Sequence, residues 1–243
     1  MPRFFIEGAP ENGRILIAGE DAHHIARVLR MKPGEELTVC DGAGTDYRCA
    51  FERLEDGAAV CRVEGAEPSR GEPTVRATLF MALPKGDKMD FIVQKATELG
   101  AAAIVPYAAA RSVSRPDEKS MAKKTVRWQK IAREAAMQCG RGAIPAVLPC
   151  VSFAEAARQA AALDLSLFLY ENERQNGARA ALSAETYATV GLMIGPEGGF
   201  DPAEAEEAVR AGLRSVSLGP RILRCETAPL AALTAVMYES GNL

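Results

Sequence analysis

Residues 190–204 read Val190-Gly191-Leu192-Met193-Ile194-Gly195-Pro196-Glu197-Gly198-Gly199-Phe200-Asp201-Pro202-Ala203-Glu204. They hold a strand, a turn and a helix start in succession. Val190–Ile194 is a short apolar run bounded by glycine and proline, the pattern of a buried strand. Asp201, Pro202 and Glu204 then give a helix-start signal: a capping aspartate, proline at the first helical position and a glutamate three residues after the cap. Three glycines and a proline between the two make a fixed turn whose backbone can come close to a ligand. The turn lacks the Lys-Ser/Thr of a P-loop and the G-x-G-x-x-G of a dinucleotide fold, so neither phosphate-binding reading is supported. A tight structural turn and a ligand loop both remain open at this point.

The same alternation extends in both directions. Upstream, Thr74–Leu83 reads as a strand, followed by a helix from Asp87 with Met89, Ile92, Val93 and Ala96 on one face and Gly100 after its end. Ala103–Tyr107 is a strand, and a long helix runs from about Pro116 to Cys139. A short helix near Phe153–Ala162 and a strand Leu165–Tyr170 come next. Downstream, Ser215–Leu218 is the last strand, and a final helix carries Pro229 in its first turn with Leu230, Leu233, Thr234 and Met237 on its buried face. Strands alternating with helices mean an α/β domain with a mostly parallel sheet. In such sheets ligands bind outside the carboxyl ends of the strands. A second loop, Leu218-Gly219-Pro220-Arg221-Ile222-Leu223-Arg224-Cys225-Glu226-Thr227-Ala228, also lies between a strand and a helix. The two loops at one sheet edge would form one pocket.

Residues 1–70 read differently. Leu37–Cys40, Tyr47–Phe51 and Val60–Val63 are strands, with Asp41-Gly42-Ala43-Gly44 as a hairpin turn and one short helix at Ala22–Leu29 that Asp21 would cap. This is a small barrel-like module. Gly65–Pro73, rich in proline, glycine and charge, is the expected linker to a second domain at 74–243.

Composition bounds the function. The chain has 243 residues, 48% of them hydrophobic and 25% charged, with a mean hydropathy of −0.06. These values describe an ordinary globule rather than a disordered, collagenous or coiled-coil chain. No apolar run is long enough for a membrane span, and the N-terminus has no signal-peptide core, so the expected location is the cytoplasm. Six scattered cysteines without a C-x-x-C pair read as reduced thiols. Only two histidines are present, the adjacent His23 and His24, which leaves little from which to build a metal site or a histidine-based triad. The net charge of −3 hides a local excess: from Arg111 to Arg141 nine basic side chains face three acidic ones. On the long helix Met121, Thr125, Trp128, Ala132, Ala135 and Cys139 share one stripe, and Lys119, Lys123, Arg127 and Lys130 another. Such a face either steers a polyanion or is simply solvated.

The loops IGPEGGF and LGPRILRCETA, with PKGDKMDFIVQKATELG, EAAMQCGR and the N-terminal HHIARVLRMKPGEEL, together resemble the bacterial 16S ribosomal RNA (uracil-N3)-methyltransferase family of the SPOUT class. The matches run in order from about His23 to Thr227. The resemblance implies a PUA-like β-rich RNA-binding domain (1–70) and a SPOUT α/β domain (74–243) with a trefoil knot. It also implies a homodimer, S-adenosylmethionine as cofactor, and uridine 1498 of 16S rRNA in the small ribosomal subunit as target. No metal is implied. Carried over by position, the cofactor residues are Leu169, Gly195, Glu197, Gly198, Gly199, Leu218, Gly219, Ile222, Leu223 and Thr227. The chain departs from the family pattern at Cys225, where threonine is frequent, and at Ala108–Ala110, where an acidic residue commonly precedes Arg111.

The reaction so implied needs the uracil N3 held in line with an activated methyl group, its proton removed, and the charge on the carbonyl oxygens stabilised. Glu197 is a candidate base, or else a holder of its own loop's amides. Arg224 and Arg111 are candidate charge stabilisers, or else phosphate ligands or, through Glu226, members of an ion pair. Arg27, Arg30, Lys123, Arg127, Gln138 and Arg141 are candidate RNA contacts, with His23 and His24 beside the first two. Two rivals share the motifs: a SPOUT methyltransferase acting on another RNA, and a non-catalytic rRNA-binding assembly factor.

Overall fold

The computed structural model describes residues 1–184 and 186–243. The chain divides into two compact units, Met1–Glu72 with Ala136–Ile144, and Pro73–Ala135 with Pro145–Leu243.

The first unit is built on a five-stranded sheet. Its strands are β1 (Arg3–Phe5), β2 (Arg14–Ile17), β3 (Glu36–Cys40), β4 (Thr45–Glu55) and β5 (Ala58–Pro68), in the order β1-β3-β4-β5-β2. The hairpin turn at residues 41–44 forms as read: Asp41 Oδ1 accepts from the amides of Ala43 at 2.8 Å and Thr45 at 3.0 Å. Phe4, Ile15, Ile17, Ile25, Leu37, Val39 and Phe51 fill the core. Three expectations are corrected. The short helix is a five-residue α1 (Gly19–His23) followed by a π-helical turn at His24–Leu29, and Ala18, not Asp21, stands at its start. Gly65–Pro68 are not linker, because they pair with Thr45–Arg48 as the end of β5. Glu72 is anchored as well. Its Oε1 accepts from the amides of Gly142 at 2.9 Å and Ala143 at 3.0 Å, and its Oε2 accepts from Arg141 Nη2 at 2.7 Å.

The second unit carries a sheet whose strands are all parallel: β6 (Arg76–Ala82), β7 (Ala101–Ala108), β8 (Ala146–Val147), β9 (Val151–Ser152), β10 (Leu165–Leu169), β11 (Thr189–Ile194) and β12 (Arg214–Val216). Their order is β12-β10-β11-β6-β7-β8, with β9 also on β7. Successive residues of a strand point to opposite faces. Both Phe80 and Leu79 of β6, and both Met193 and Leu192 of β11, are buried. The sheet is therefore covered on both sides, which explains continuous apolar runs rather than alternation. Helices α2 (Lys88–Glu98) and α7 (Ala228–Glu239) pack on each other and near β6, β7 and β11; α4 (Phe153–Ala161) and α6 (Pro202–Arg210) form a second pair. Thr234 is exposed, and Val236 takes the buried place expected of it. Three elements had no sequence-level signal, the short strands β8 and β9 and the helix α5 (Ala178–Ser183).

In α3 (Glu118–Cys139) Trp128, Ala132 and Ala135 are buried as the stripe requires, whereas Cys139 is exposed. Lys119, Lys123, Arg127 and Lys130 all face solvent. Register then fixes where function can sit. Ile194 of β11 lies beside Leu169 of β10 and Met81 of β6, and Leu169 lies beside Val216 of β12. Four strands thus end level, and the four segments that follow them share one edge of the sheet.

A candidate cofactor pocket at the carboxyl edge of the sheet

The segment after β11 is held from every side. The Tyr107 hydroxyl, fully buried, donates to the Ile194 carbonyl at 2.8 Å. Phe200 packs on Phe168 with ring centroids 4.2 Å apart, and a Cβ on Gly195 would meet its ring at 2.9 Å. The Gly199 amide donates to the Pro196 carbonyl at 3.0 Å, in a backbone with φ +68°. A side chain there would overlap the Glu171 carboxylate, whose Oε1 accepts from the Phe200 amide at 2.9 Å. The expected capping box is present: Asp201 accepts from the Ala203 amide at 3.1 Å, and Glu204 accepts from the Asp201 amide at 3.0 Å. The other oxygen of Glu204 accepts from the Ala110 amide at 2.7 Å. That bond brings Arg111 to the loop, where its guanidinium reaches the Gly198 carbonyl at 3.3 Å and Asp201 at 3.4 Å.

The segment after β12 is held mainly at its ends. Gly219, with φ +113°, closes a turn with the Ser217 hydroxyl, and the amides of Thr227 and Ala228 both donate to the Arg224 carbonyl at 2.9 Å. Between these ends Ile222 is 74% exposed. Among the described residues the Arg224 side chain has no hydrogen-bond or ion-pair partner; Glu226, which the sequence offered as its mate, is taken by Lys88 at 3.1 Å.

These segments and the end of β10 enclose a cavity of about 430 Å³. Leu169, Gly195, Glu197, Gly198, Gly199, Leu218, Gly219, Ile222, Leu223 and Arg224 all line it, so the structure brings together nearly the whole candidate set. Thr227 and Arg111 do not. Thr227 stands at the start of α7, and Arg111 buttresses the glycine loop. The cavity is apolar at Leu169, Ile194, Val216 and Leu223, with backbone amides and carbonyls at its glycines, the mixture expected of a small-molecule site. Sequence reasoning did not single out several of the lining residues, among them Lys88, Glu171, Arg174 and Ser217. The signal for Lys88 was available, because it follows the strand β6 at the same sheet edge.

Electrostatics constrain the roles. Burial would raise the Glu197 carboxyl, but the Lys88 ammonium at 2.9 Å, its own and the Lys85 amides and the Cys225 thiol outweigh that and draw it down to about 2. A carboxylate so strongly stabilised is a weak base. Burial and the neighbouring Glu226 and Glu197 carboxylates push the Cys225 thiol up to about 12, so it stays protonated and donates to Glu226 at 3.2 Å.

The candidate RNA contacts are dispersed. Arg27 and Arg30 are exposed on the first unit, and Lys123, Arg127 and Gln138 lie on the open surface of α3, Arg127 pairing with Asp90. Arg141 is different. Its side chain is 5% exposed and held by Glu72, so its guanidinium is committed to a carboxylate rather than open to a phosphate. Among the described residues no three His, Cys, Asp or Glu side chains gather as a metal site, and no helix is long and apolar enough to cross a membrane.

Comparison with known proteins defines the class. Residues 71–237 match the RNA methyltransferase domain model, and residues 17–64 match the RNA methyltransferase PUA domain. The ribosomal RNA small subunit methyltransferase E of Bacillus subtilis (strain 168) is 37% identical over 252 residues, covering 100% of this chain and 98% of that protein. The chain belongs to the ribosomal RNA small subunit methyltransferase E family. A crystal structure of the Neisseria gonorrhoeae member bound to S-adenosyl methionine superposes with a TM-score of 0.86 at 34% identity, over 98% of this chain and 97% of that one. A putative methyltransferase from Legionella pneumophila, in complex with SAM, gives 0.87 at 32% identity over 97% and 96%.

Proposed function

We propose that this protein transfers a methyl group from S-adenosylmethionine to N3 of a uridine in 16S rRNA, uridine 1498 of the small ribosomal subunit. The observation that supports it most is the convergence of the two motif loops on one pocket of about 430 Å³ at level strand ends. Family membership and the SAM-bound relatives supply the cofactor.

The residues fit that group. Leu169, Leu218, Ile222 and Leu223 offer apolar surface for an adenine ring, and the glycine backbone offers amides and carbonyls within reach of its polar edges. When bound, the cofactor supplies a methyl group already activated on a sulfonium. Everything else falls to the chain. The pinned loop 195–200 fixes where the methyl donor lies, which is the orientational part of catalysis. Arg224, unpaired and at the pocket, stabilises the negative charge that spreads to the uracil carbonyls as N3 loses its proton. Glu197, already saturated by Lys88 and Lys85, holds the loop rather than taking that proton. Arg27, Arg30, Lys123, Arg127 and Gln138 are the proposed RNA contacts; a homodimer, a trefoil-knotted second domain and a cytoplasmic site of action complete the reading.

The test uses S-adenosylmethionine with a deuterated methyl group, incubated with the protein and unmodified small subunits. Digested RNA is analysed by mass spectrometry. Labelled N3-methyluridine is expected. Label in another nucleoside overturns the uracil assignment, and cofactor binding without label favours an assembly factor.

A further inference from the structure

Lys88, the first residue of α2, stands where the two pocket loops meet. Its ammonium donates to Glu197 of the first loop at 2.9 Å and pairs with Glu226 of the second at 3.1 Å, and it lies 3.6 Å from Cys225 Sγ. An ammonium has three donors, and here all three have partners. Among the described residues no backbone hydrogen bond runs from loop 195–200 to loop 218–227. The cation is the charged link between them, beside the weaker one that the Cys225 thiol makes to Glu197. It has a second consequence. Arg224 and Glu226 are two residues apart in one loop, yet they do not pair; Glu226 is held by Lys88 instead.

We propose that Lys88 is a positioning residue for methyl transfer: it ties together the two walls of the cofactor pocket and, by occupying Glu226, keeps Arg224 free for the substrate. The proposal rests on the methyl donor binding in this pocket. Lys88 does not itself move a proton. Its bonds to Glu197 and then Glu226 hold the ammonium above its ordinary range, so it remains charged throughout. Removing it leaves two adjacent carboxylates uncompensated, and Glu226 is then free to capture Arg224.

The experiment compares wild type with Lys88→Met, Lys88→Arg and the double variant Lys88→Met/Glu226→Gln. Donor affinity is measured by calorimetry, and kcat and KM by methyl transfer to unmodified small subunits. Lys88→Met is expected to weaken donor binding and to lower kcat, each by about tenfold or more. Lys88→Arg retains a cation between the carboxylates and stays within about threefold of wild type. The decisive arm is the double variant. With Glu226 neutralised, Arg224 is released again, and kcat recovers by at least about threefold over Lys88→Met. A purely structural tie predicts that the double variant is no better than the single one. That result, or a Lys88→Met protein with wild-type affinity and turnover, overturns the proposal. Melting curves accompany each variant; should Lys88→Met fail to fold, Lys88→Gln with and without Glu226→Gln puts the same question. Leu223→Trp, which fills the pocket, separates the two readings. If it binds donor as wild type does, the pocket assignment fails; if it loses donor while Lys88→Met does not, only the Lys88 inference fails.

Discussion

The glycine loop at 195–200 and the basic face of α3 are made in opposite ways. In the loop, the amides of Gly199 and Phe200 and the carbonyls of Ile194 and Gly198 all have partners within the same unit, and its only charged side chain is neutralised by Lys88. On the helix face, Lys119 and Lys123 have no partner among the described residues, and their surroundings are solvent. One region presents a fixed shape, and the other presents charge. The difference teaches where each kind of mutation should act: shape changes should abolish binding of a small rigid ligand, whereas charge changes should alter only the strength and salt dependence of a polyanion contact.

The sharpest break of that comparison is Gly199→Val. A β-branched residue at φ +68° is strained by itself, and its side chain overlaps the Glu171 carboxylate that pins Phe200. S-adenosylmethionine affinity, measured by calorimetry, is expected to fall at least about a hundredfold. A variant that binds within a few-fold of wild type would show that the loop does not shape the pocket. Arg224 lies between the two regions, an exposed cation that also lines the pocket. Arg224→Ala is expected to lower kcat about a hundredfold while donor affinity stays within about twofold, as for loss of one transition-state donor. Equal losses in both would make it a cofactor ligand instead.

The contrast also governs what was legible in the sequence. Strands β6, β7, β10 and β11 and helices α2, α6 and α7 announce themselves through apolar runs, a capping box and proline positions, because one local segment carries the whole signal. Nine of the ten residues carried over as cofactor ligands line the pocket, since glycines and apolar loop residues at strand ends are recognisable without knowing their neighbours. Pairing is another matter. Lys88 reaches Glu197 across 109 positions and Arg141 reaches Glu72 across 69. No periodicity encodes such partners, so Arg141 read as a surface cation and Lys88 as an ordinary helix residue. The loss of Gly65–Pro68 to β5 has the same origin. A proline and glycines suggest a break, but an edge of pairing with β4 over Thr45–Arg48 overrides the local composition.

Glu197 sharpens the comparison through pH. Its carboxyl sits near 2 in the folded protein against an ordinary 4.5. A depressed carboxyl contributes stability that is fully present above the unfolded value and disappears as pH falls from 4.5 toward 2. Glu197→Gln is therefore expected to lower the melting temperature at pH 7 by about 3 °C, a small shift because the side chain is partly exposed. That gap should narrow on acidification toward pH 2. The same value bears on chemistry. Between pH 5 and 9 the carboxyl does not titrate, so removing it leaves the shape of the kcat/KM profile unchanged even if the rate declines. An acidic limb that vanishes in the variant would make Glu197 the base after all.

The smallest effects belong to the helix face, and there the two cations are not equivalent. Lys123 is unpaired among the described residues, whereas Arg127 is already paired with Asp90, which also accepts from Trp128 Nε1 at 3.0 Å. A phosphate contacting Lys123 releases a counterion outright; one contacting Arg127 must compete with a carboxylate already in place. Binding of small-subunit RNA across a salt series should therefore lose about one unit of log–log slope in Lys123→Ala and less than that in Arg127→Ala. Donor affinity should not change in either. If the double variant keeps both the affinity and the slope of wild type, the face is only solvated, and the search for the RNA surface moves to Arg27 and Arg30 of the first unit. If Arg127→Ala instead costs more than Lys123→Ala, the Asp90 pair breaks on binding, and the static picture of that face is the part that fails.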